Sequence, residues 1–293
     1  MILRDRPDGT RVPDLPRLRR IMPFIMPRRA DAVVYFEHSV DLGATQDYLA
    51  RWNADPARPR LTLFHILLTA AARTLHQRPR MNRFVAGQRL WQRNAVEISV
   101  SVIKAKDDDA KLTVVKQEFP ADMGLTATRA RIEEATANGR STQRTASEKE
   151  VDLVTRLPRF AVSFLVWLQR WADHWNLLPV SLIRNDPLYA SLMVTNLGSI
   201  GIDAAWHHMY EHGTLSIFMA MGKAGPMPFV TPEGVLEVRP GLKLCYAFDE
   251  RVSDGFYAAR SLDLLQSLVE APWQLETPDD AGPGGPGKTA PQA

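Results

Sequence analysis

Cysteine is almost absent from the 293-residue chain, in which Cys245 is the only one. A single cysteine excludes a disulfide framework within the chain and any zinc site built on paired cysteines. Cys245 lies in an apolar stretch, residues 241–248, so we expect a buried structural thiol rather than a reactive one.

An excess of charge of one sign is also missing, as are long apolar runs. The 36 Lys and Arg and 33 Asp and Glu leave a formal net charge of +3, and the basic residues form no block, so we expect no nucleic-acid partner. No run approaches the ~20 apolar residues of a membrane span. The first residues are charged and rich in proline, unlike a signal peptide. We therefore expect a cytoplasmic protein with no membrane span.

The distribution of apolar residues predicts one folded domain between two polar ends. Hydrophobic residues make up 45% of the chain, enough for an ordinary globular core. Residues 1–20 are polar, with three prolines, and are predicted to form an extended arm. Residues 276–293 are mostly Asp, Gly, Pro and Ala and are predicted to be a disordered tail. The domain is then expected to cover residues 21–275.

The most informative stretch, residues 249–255, reads Asp-Glu-Arg-Val-Ser-Asp-Gly and separates two apolar periods. Residues 241–248 mostly alternate between bulky apolar and smaller or polar side chains, as a half-buried strand does. The apolar residues that follow recur at helical spacing: Phe256, Ala259, Leu262, Leu265 and Val269. The stretch is therefore a predicted strand-to-helix turn, with Gly255 permitting a sharp bend and Asp254 favoured at the helix N-terminus.

This stretch resembles the Asp-His-Arg-Val-x-Asp-Gly signature of the dihydrolipoamide acyltransferase components of 2-oxo acid dehydrogenase complexes. A second segment, Ser191-Leu-Met-Val-Thr-Asn-Leu-Gly198, resembles the family's Phe-Thr-Ile-Ser-Asn-Leu-Gly, and a weaker similarity runs from about Met22 to Val269. The family shares its fold with chloramphenicol acetyltransferase. The resemblance therefore implies an α/β fold (an α+β sandwich), with a mixed sheet flanked by helices, assembled as a homotrimer or a larger cage.

The resemblance also implies roles for particular residues. In the family a histidine accepts a proton from the thiol of coenzyme A or dihydrolipoamide, and a Ser or Thr hydroxyl of a neighbouring subunit stabilises the oxyanion. Thr195 matches the hydroxyl, Glu250 stands in place of the histidine, and Asp254 matches an aspartate that pairs with an N-terminal arginine. The arginine candidates are Arg19, Arg20, Arg28 and Arg29. The remaining candidate binding residues are Asn196, Gly198, Arg251, Gly255, His207 and His208.

Glutamate is a poor substitute for the histidine base. A thiol ionises near pKa ~8.5 and a glutamate near ~4.3, so proton transfer between them is uphill by about 6 kcal/mol, against about 3 kcal/mol for an imidazole. We therefore expect lipoyl-type acyl transfer to be weak or lost, unless His207 or His208 folds into the site. Coenzyme A is the expected substrate, and no lipoyl group is expected because nothing before residue 20 resembles a lipoyl domain.

Residues 151–187 form a predicted helical insertion relative to the family. Within it Trp167, Trp171 and Trp175 are spaced as one helical stripe. The stripe is typical of a core or subunit contact, but a docking face for a partner protein or insertion into a membrane surface are alternatives, although the basic residues expected of a surface binder are few.

Two apparent metal patterns have simpler interpretations. His208 and His212 lack an obvious third ligand, and Asp107–Asp109 lack the spacing of a calcium loop, so we expect a solvated hairpin there and no metal. His65, on a buried helix that Thr62 is predicted to cap, is expected to be a core residue with its hydrogen bonds satisfied.

Two function classes follow from the sequence. One is an acyltransferase-family protein that binds an acyl-coenzyme A thioester at a trimer interface. The other is a non-catalytic scaffold, a trimer or cage subunit that docks partners through residues 151–187. Whether the chain is an enzyme depends on the missing histidine.

Overall fold

The computed structural model describes residues 5–103, 112–140 and 154–280, and these residues contain a large mixed sheet. Its strands lie in the order β2-β10-β8-β7-β5-β6, and β9 pairs with the first half of β10. The β5–β7 and β7–β8 pairs are parallel and the others antiparallel, so the predicted mixed sheet is confirmed. The strands are β2 (Val33–Asp41), β5 (Glu97–Ile103), β6 (Leu112–Glu118), β7 (Leu192–Asn196), β8 (Ile217–Met221), β9 (Gly225–Val230) and β10 (Leu236–Asp249).

A smaller sheet attaches the N-terminal arm to the body. Strand β1 (Gly9–Arg11) pairs with β4 (Arg89–Arg93), which pairs with β3 (Arg83–Ala86). Arg6 is 3% exposed and forms ion pairs with Asp8 and with Asp173. The arm, expected to be extended, is thus packed on its own chain from residue 6 onward.

The described helices are of two kinds, those that cover the large sheet and those that lie outside it. They are α1 (Arg17–Ile25), α2 (Gly43–Ala54), α3 (Leu63–Gln77), α4 (Leu125–Arg140), α5 (Arg159–His174), α6 (Val180–Asn185) and α7 (Gly255–Glu270). Helix α3 is the most buried, as its nearly all-round apolar sequence predicts. Thr62 caps it, and the Thr62 N–H donates to Nδ1 of His65, so the prediction of a satisfied structural histidine is confirmed.

The two faces of the large sheet differ, and this difference positions the candidate site. Helices α2, α3, α4 and α7 cover one face, which we call the helix-covered face, and its core includes Val194 and Met219. Because side chains alternate along a strand, Met193 and Phe218 lie on the opposite face. There they pack against a smaller cluster that includes Met209, from the loop before β8. Cys245 is buried, as expected, and burial raises the pKa of its thiol.

The ordered structure continues past the predicted end of the domain at residue 275. Asp280 is 3% exposed, and its carboxylate accepts hydrogen bonds from the N–H groups of Leu125 and Thr126 at the start of α4. Residues 281–293, the predicted hairpin at Asp107–Asp109 and residues 151–153 lie outside the described residues. Among the helices described, none has both the length and the apolar character needed to cross a bilayer.

Candidate functional site

The charged turn after β10 is organised around a buried ion pair that the sequence reasoning did not identify. Arg251 donates from Nε and Nη2 to the two carboxylate oxygens of Asp249, at 2.8 and 2.7 Å. Both side chains are nearly inaccessible, at 3% and 1% exposure. Arg251 also donates to the carbonyl of Met26 at 2.9 Å. Arg251, a candidate binding residue, therefore holds the turn together and fastens it to the N-terminal segment.

Glu250 lies half-buried between that ion pair and the N-terminal segment. Its N–H donates to the carbonyl of Ala32 at 2.9 Å, and its own carbonyl accepts from Nη1 of Arg19 at 2.7 Å. Arg19 is thus the candidate arginine that bonds directly to the turn at Glu250. Arg29 is buried and donates to the carbonyls of the 210–213 loop, and burial lowers its pKa.

Asp254 has a different partner from the expected one. It is exposed, and its Oδ1 accepts a hydrogen bond from the Tyr257 N–H at 2.8 Å, so it is the N-cap of α7. That hydrogen bond, with smaller contributions from the charges of Arg19 and Arg80, lowers its pKa. Within the described residues, the expected ion pair between Asp254 and an N-terminal arginine does not form. Asp254 therefore caps the helix N-terminus, the role that its position before the helical apolar period predicts.

The two candidate glycines also differ in what they do. Gly255 is the first residue of α7, without a positive φ, and a Cβ there would meet nothing within 4 Å. The expected glycine-dependent bend is therefore not required within the chain. At Gly198 a Cβ would lie 2.4 Å from the carbonyl oxygen of Gly222, so only glycine permits this approach of two backbones.

The second candidate segment ends strand β7. Thr195 is half-buried on the face opposite the helices, and Asn196 follows it. The Asn196 side chain accepts from the Ser199 N–H at 3.0 Å and so caps the short turn that begins at Leu197. Asn196 and Gly198 thus shape the strand end, whereas Thr195 faces open space.

That space is a cavity of about 400 Å³ on the face of the sheet opposite the helices. Thr195 and Phe218 line it from the sheet, and Trp206, His207 and Tyr210 line it from the loop before β8. Trp206 is 60% exposed, so the cavity lies at the surface of the single chain. The cavity brings two of the candidate residues together, Thr195 and His207.

The ring of His207 is held in one plane and in one tautomer. It stacks on Phe218, with ring centroids 4.0 Å apart and an angle of 4° between the planes. His208 stacks near it, at 4.5 Å. Nδ1 of His207 lies 2.8 Å from the carbonyl oxygen of His208, and a carbonyl only accepts, so Nδ1 carries the proton. The neutral ring then has its lone pair on Nε2, the atom that a general base needs.

Glu250 does not share this cavity within one chain. Thr195 is beside Ala220 in the sheet, and Ala220 is beside Cys245. Glu250 comes five residues after Cys245, which places it about 16 Å further along the strand direction. It is also two strands away from Thr195, or about 10 Å across the sheet. Two candidate catalytic residues thus lie apart in the chain, as they would if each contributed to a site with a neighbouring copy.

His208 and His212 do not act together. His208 is exposed, whereas Nε2 of His212 lies 2.5 Å from Oδ2 of Asp186, so its ring already has a partner. Within the described residues no group of three His, Cys, Asp or Glu side chains is placed to hold a metal ion.

Sequence reasoning missed three parts of this site. The sequence did carry a signal for Phe218, on which the His207 ring stacks. Phe218 and Ala220 are two residues apart in β8, so they lie on the same face of the sheet as Thr195. The sequence signal for the Asp249–Arg251 ion pair was weak, because side chains two residues apart meet only when the chain turns between them. We find no signal in the sequence for the hydrogen bond that sets the His207 tautomer.

Comparison with known proteins confirms the resemblance that the two segments carry. Residues 181–277, which include both segments, match the model of the family described as 2-oxoacid dehydrogenases acyltransferase (catalytic domain). No curated protein sequence matches the chain.

The fold is that of several solved structures. The cubic core of a pyruvate dehydrogenase multienzyme complex is 21% identical, with a TM-score of 0.61 over 90% of this chain and 93% of that chain. A probable dihydrolipoamide acetyltransferase from Listeria monocytogenes is 17% identical, with a TM-score of 0.57 over 90% and 95%. A chloramphenicol acetyltransferase is 12% identical, with a TM-score of 0.51 over 90% and 98%. These likenesses confirm the chloramphenicol acetyltransferase-like fold.

Proposed function

We propose that this chain is an acyltransferase that uses a coenzyme A thioester in a site formed between its own copies. The observation that carries the proposal is the open cavity shared by Thr195 and His207. The family match over residues 181–277 supports the reaction class, and the distance between Thr195 and Glu250 supports a site completed by a second subunit.

The cavity supplies the groups that transfer to a thiol needs. Nε2 of His207 accepts the proton of the acceptor thiol, and the thiolate attacks the thioester carbonyl. The Thr195 hydroxyl donates a hydrogen bond to the oxyanion that forms. Collapse of the intermediate breaks the carbon–sulfur bond to coenzyme A, whose thiolate takes the proton back from the imidazolium.

Glu250 has a different place in this scheme. In a homotrimer or larger assembly of the kind the fold supports, Glu250 of the partner subunit would approach the cavity from the other side. Because its carboxylate is a poor base for a thiol, transfer that depends on residue 250, including the lipoyl-type reaction, is weak or absent. The base in our proposal is therefore His207.

The scaffold alternative makes a different demand on the same cavity. A purely structural subunit has no use for an open space beside a strand-end hydroxyl, and neighbouring side chains would be expected to fill it. In the single chain the space is about 400 Å³ and opens to the surface. This favours a ligand site, while the exposed helix α5 is the feature that favours docking.

The test is the rate at which the purified protein releases free coenzyme A from acetyl-coenzyme A with a simple alkyl thiol as acceptor. His207→Gln should lower kcat/KM by about 10²- to 10⁴-fold, as loss of a general base does. Thr195→Val should lower kcat by about 10²- to 10³-fold. The matched control is His174→Gln, at an exposed histidine outside the cavity, and it should leave the rate unchanged.

Glu250→His separates the two possible bases. If a neighbouring residue 250 reaches the cavity, this change should raise thiol acyl transfer by up to about 10²-fold, through the smaller proton-transfer barrier. Parent turnover that survives His207→Gln undiminished would contradict the assignment of His207. No turnover in the parent or in Glu250→His would leave the scaffold as the better account.

A further inference from the structure

Helix α5 presents its aromatic side chains to solvent. None of its residues is buried, and Phe160, Phe164, Trp167 and Trp171 are 77%, 57%, 57% and 45% exposed. At about 100° per residue, these four side chains fall within about 60° of one another. They therefore form one continuous stripe, which continues to Trp175 at 49% exposure.

The opposite side of α5, which contacts the body of the protein, is small and polar. Gln169, Ala172 and Asp173 are half-buried there, and Oδ1 of Asp173 accepts from Nη2 of Arg6 at 2.8 Å. A helix on the surface of a globular protein normally turns its apolar stripe inward. Helix α5 does the reverse, so its stripe is not part of the core of this chain, and that half of the expected 'core or subunit contact' is wrong, whereas the subunit contact stays a prediction.

Helix α1 repeats this arrangement beside α5. Its Pro23 is buried and its Arg19 bonds to the carbonyl of Glu250, whereas its apolar side chains point outward. Those exposed residues are Leu18 at 70%, Ile21 at 49%, Phe24 at 58% and Ile25 at 65%. Phe24 lines a surface depression together with Trp175, so the two exposed sets adjoin. We call the nine side chains together the aromatic face: Leu18, Ile21, Phe24, Ile25, Phe160, Phe164, Trp167, Trp171 and Trp175.

The charge around the aromatic face is strongly positive. Residues 11–31 and 154–186 contain ten arginines, of which Arg29 is buried, and four acidic residues, although the whole chain has a net charge of only +3. One of those acids, Asp173, is already paired with Arg6. Arg17, Arg20, Arg159 and Arg170 are exposed. A two-fold contact between copies through this face would bring these arginines together, which disfavours a dimer contact of that kind as the occupant.

We propose that the aromatic face docks on the surface of a bilayer that contains anionic phospholipid. Trp and Phe rings insert at the level of the headgroups, and the flanking arginines bind lipid phosphates. Helix α5 is about 24 Å long, too short for the ~30 Å hydrocarbon core, so it lies in the plane of the membrane. Helix α5 has few basic residues of its own, and α1 supplies the others.

The experiment is co-flotation of the full-length protein with vesicles of phosphatidylcholine and phosphatidylglycerol, compared with vesicles of phosphatidylcholine alone. The parent should bind the anionic vesicles, and brominated lipid should quench its tryptophan fluorescence. Trp167→Gln/Trp171→Gln should weaken binding about tenfold or more, since inserting even one large apolar side chain is worth that much. The control Val230→Gln/Val238→Gln changes two residues that are 70% and 73% exposed on the β9–β10 hairpin, and should bind as the parent does.

A second pair tests the charge. Arg159→Gln/Arg170→Gln should lose most of the preference for anionic vesicles, whereas Arg51→Gln/Arg260→Gln, at exposed arginines elsewhere, should keep it. Failure of the folded parent to bind anionic vesicles, or equal binding to both vesicle types, would overturn the proposal. So would an aromatic variant that binds vesicles normally but sediments as a smaller oligomer, because the face would then be a contact between copies.

Discussion

Replacing Asp249 by alanine should destabilise the protein much more than replacing Asp254, although both aspartates belong to the same turn. Asp249 and Arg251 are 1% and 3% exposed and joined by two hydrogen bonds, so Asp249→Ala leaves a buried guanidinium without its carboxylate. Removing one partner of such a pair costs about 3–5 kcal/mol. Arg251 keeps its bond to the Met26 carbonyl, which compensates only one of its donors.

Asp254→Ala removes an exposed N-cap, which costs about 1 kcal/mol. For a chain of this size a change of 1 kcal/mol shifts Tm by about 2 °C, so we expect losses of about 6–10 °C for Asp249→Ala and about 2 °C for Asp254→Ala. Asp249→Asn should fall between them, since it keeps one acceptor.

The assay is equilibrium unfolding in urea at one fixed protein concentration, with the denaturant slope checked to be unchanged. Thermal melts provide the second measurement. Equal losses at the two positions, or a greater loss for Asp254→Ala, would refute our account of the turn and restore a buried role for Asp254.

Two other predictions concern Gly198 at the end of β7 and His38 in β2. Gly198→Ala should lower the unfolding midpoint sharply, because its Cβ would lie 2.4 Å from the Gly222 carbonyl oxygen. The matched control Gly255→Ala has free space around the added Cβ and should be tolerated. Similar unfolding midpoints for the two variants would contradict this. Burial lowers the pKa of His38, so the unfolded chain binds a proton below the ordinary histidine pKa of 6.5 while the folded chain resists it. Stability should therefore fall as the pH drops below about 6.5, and His38→Phe should reduce that slope in urea unfolding; an unchanged slope would show that His38 is not responsible.

The fold was predictable because two separate segments of sequence agree with one architecture. Local physics supports the same assignment: in Glu97–Ile103 the alternation places Ile98, Val100 and Val102 in the core, and Thr62 caps α3 where the apolar period begins. The alternation and the helix cap both depend on residues that are close in sequence, so they can be predicted from the sequence alone.

The site was predictable only in part, because its geometry depends on contacts between distant residues. The spacing of the 249–255 stretch does not reveal that Arg251 turns back onto Asp249, which left Asp254 as the apparent partner for an arginine. Nothing near His207 in sequence indicates that its ring lies flat on Phe218. The stripe on α5 shows that an apolar face exists, but its outward direction is set by Asp173 binding Arg6 and by the packing of Ala172.

The measurement that tests our central claim most directly is a structure of the protein with acetyl-coenzyme A bound. We predict that the thioester oxygen lies about 2.7–3.1 Å from Oγ1 of Thr195, with the sulfur near Nε2 of His207 and Glu250 of the partner subunit at the edge of the cavity. A cavity filled by side chains of a neighbouring copy, or coenzyme A bound away from Thr195, would contradict the claim.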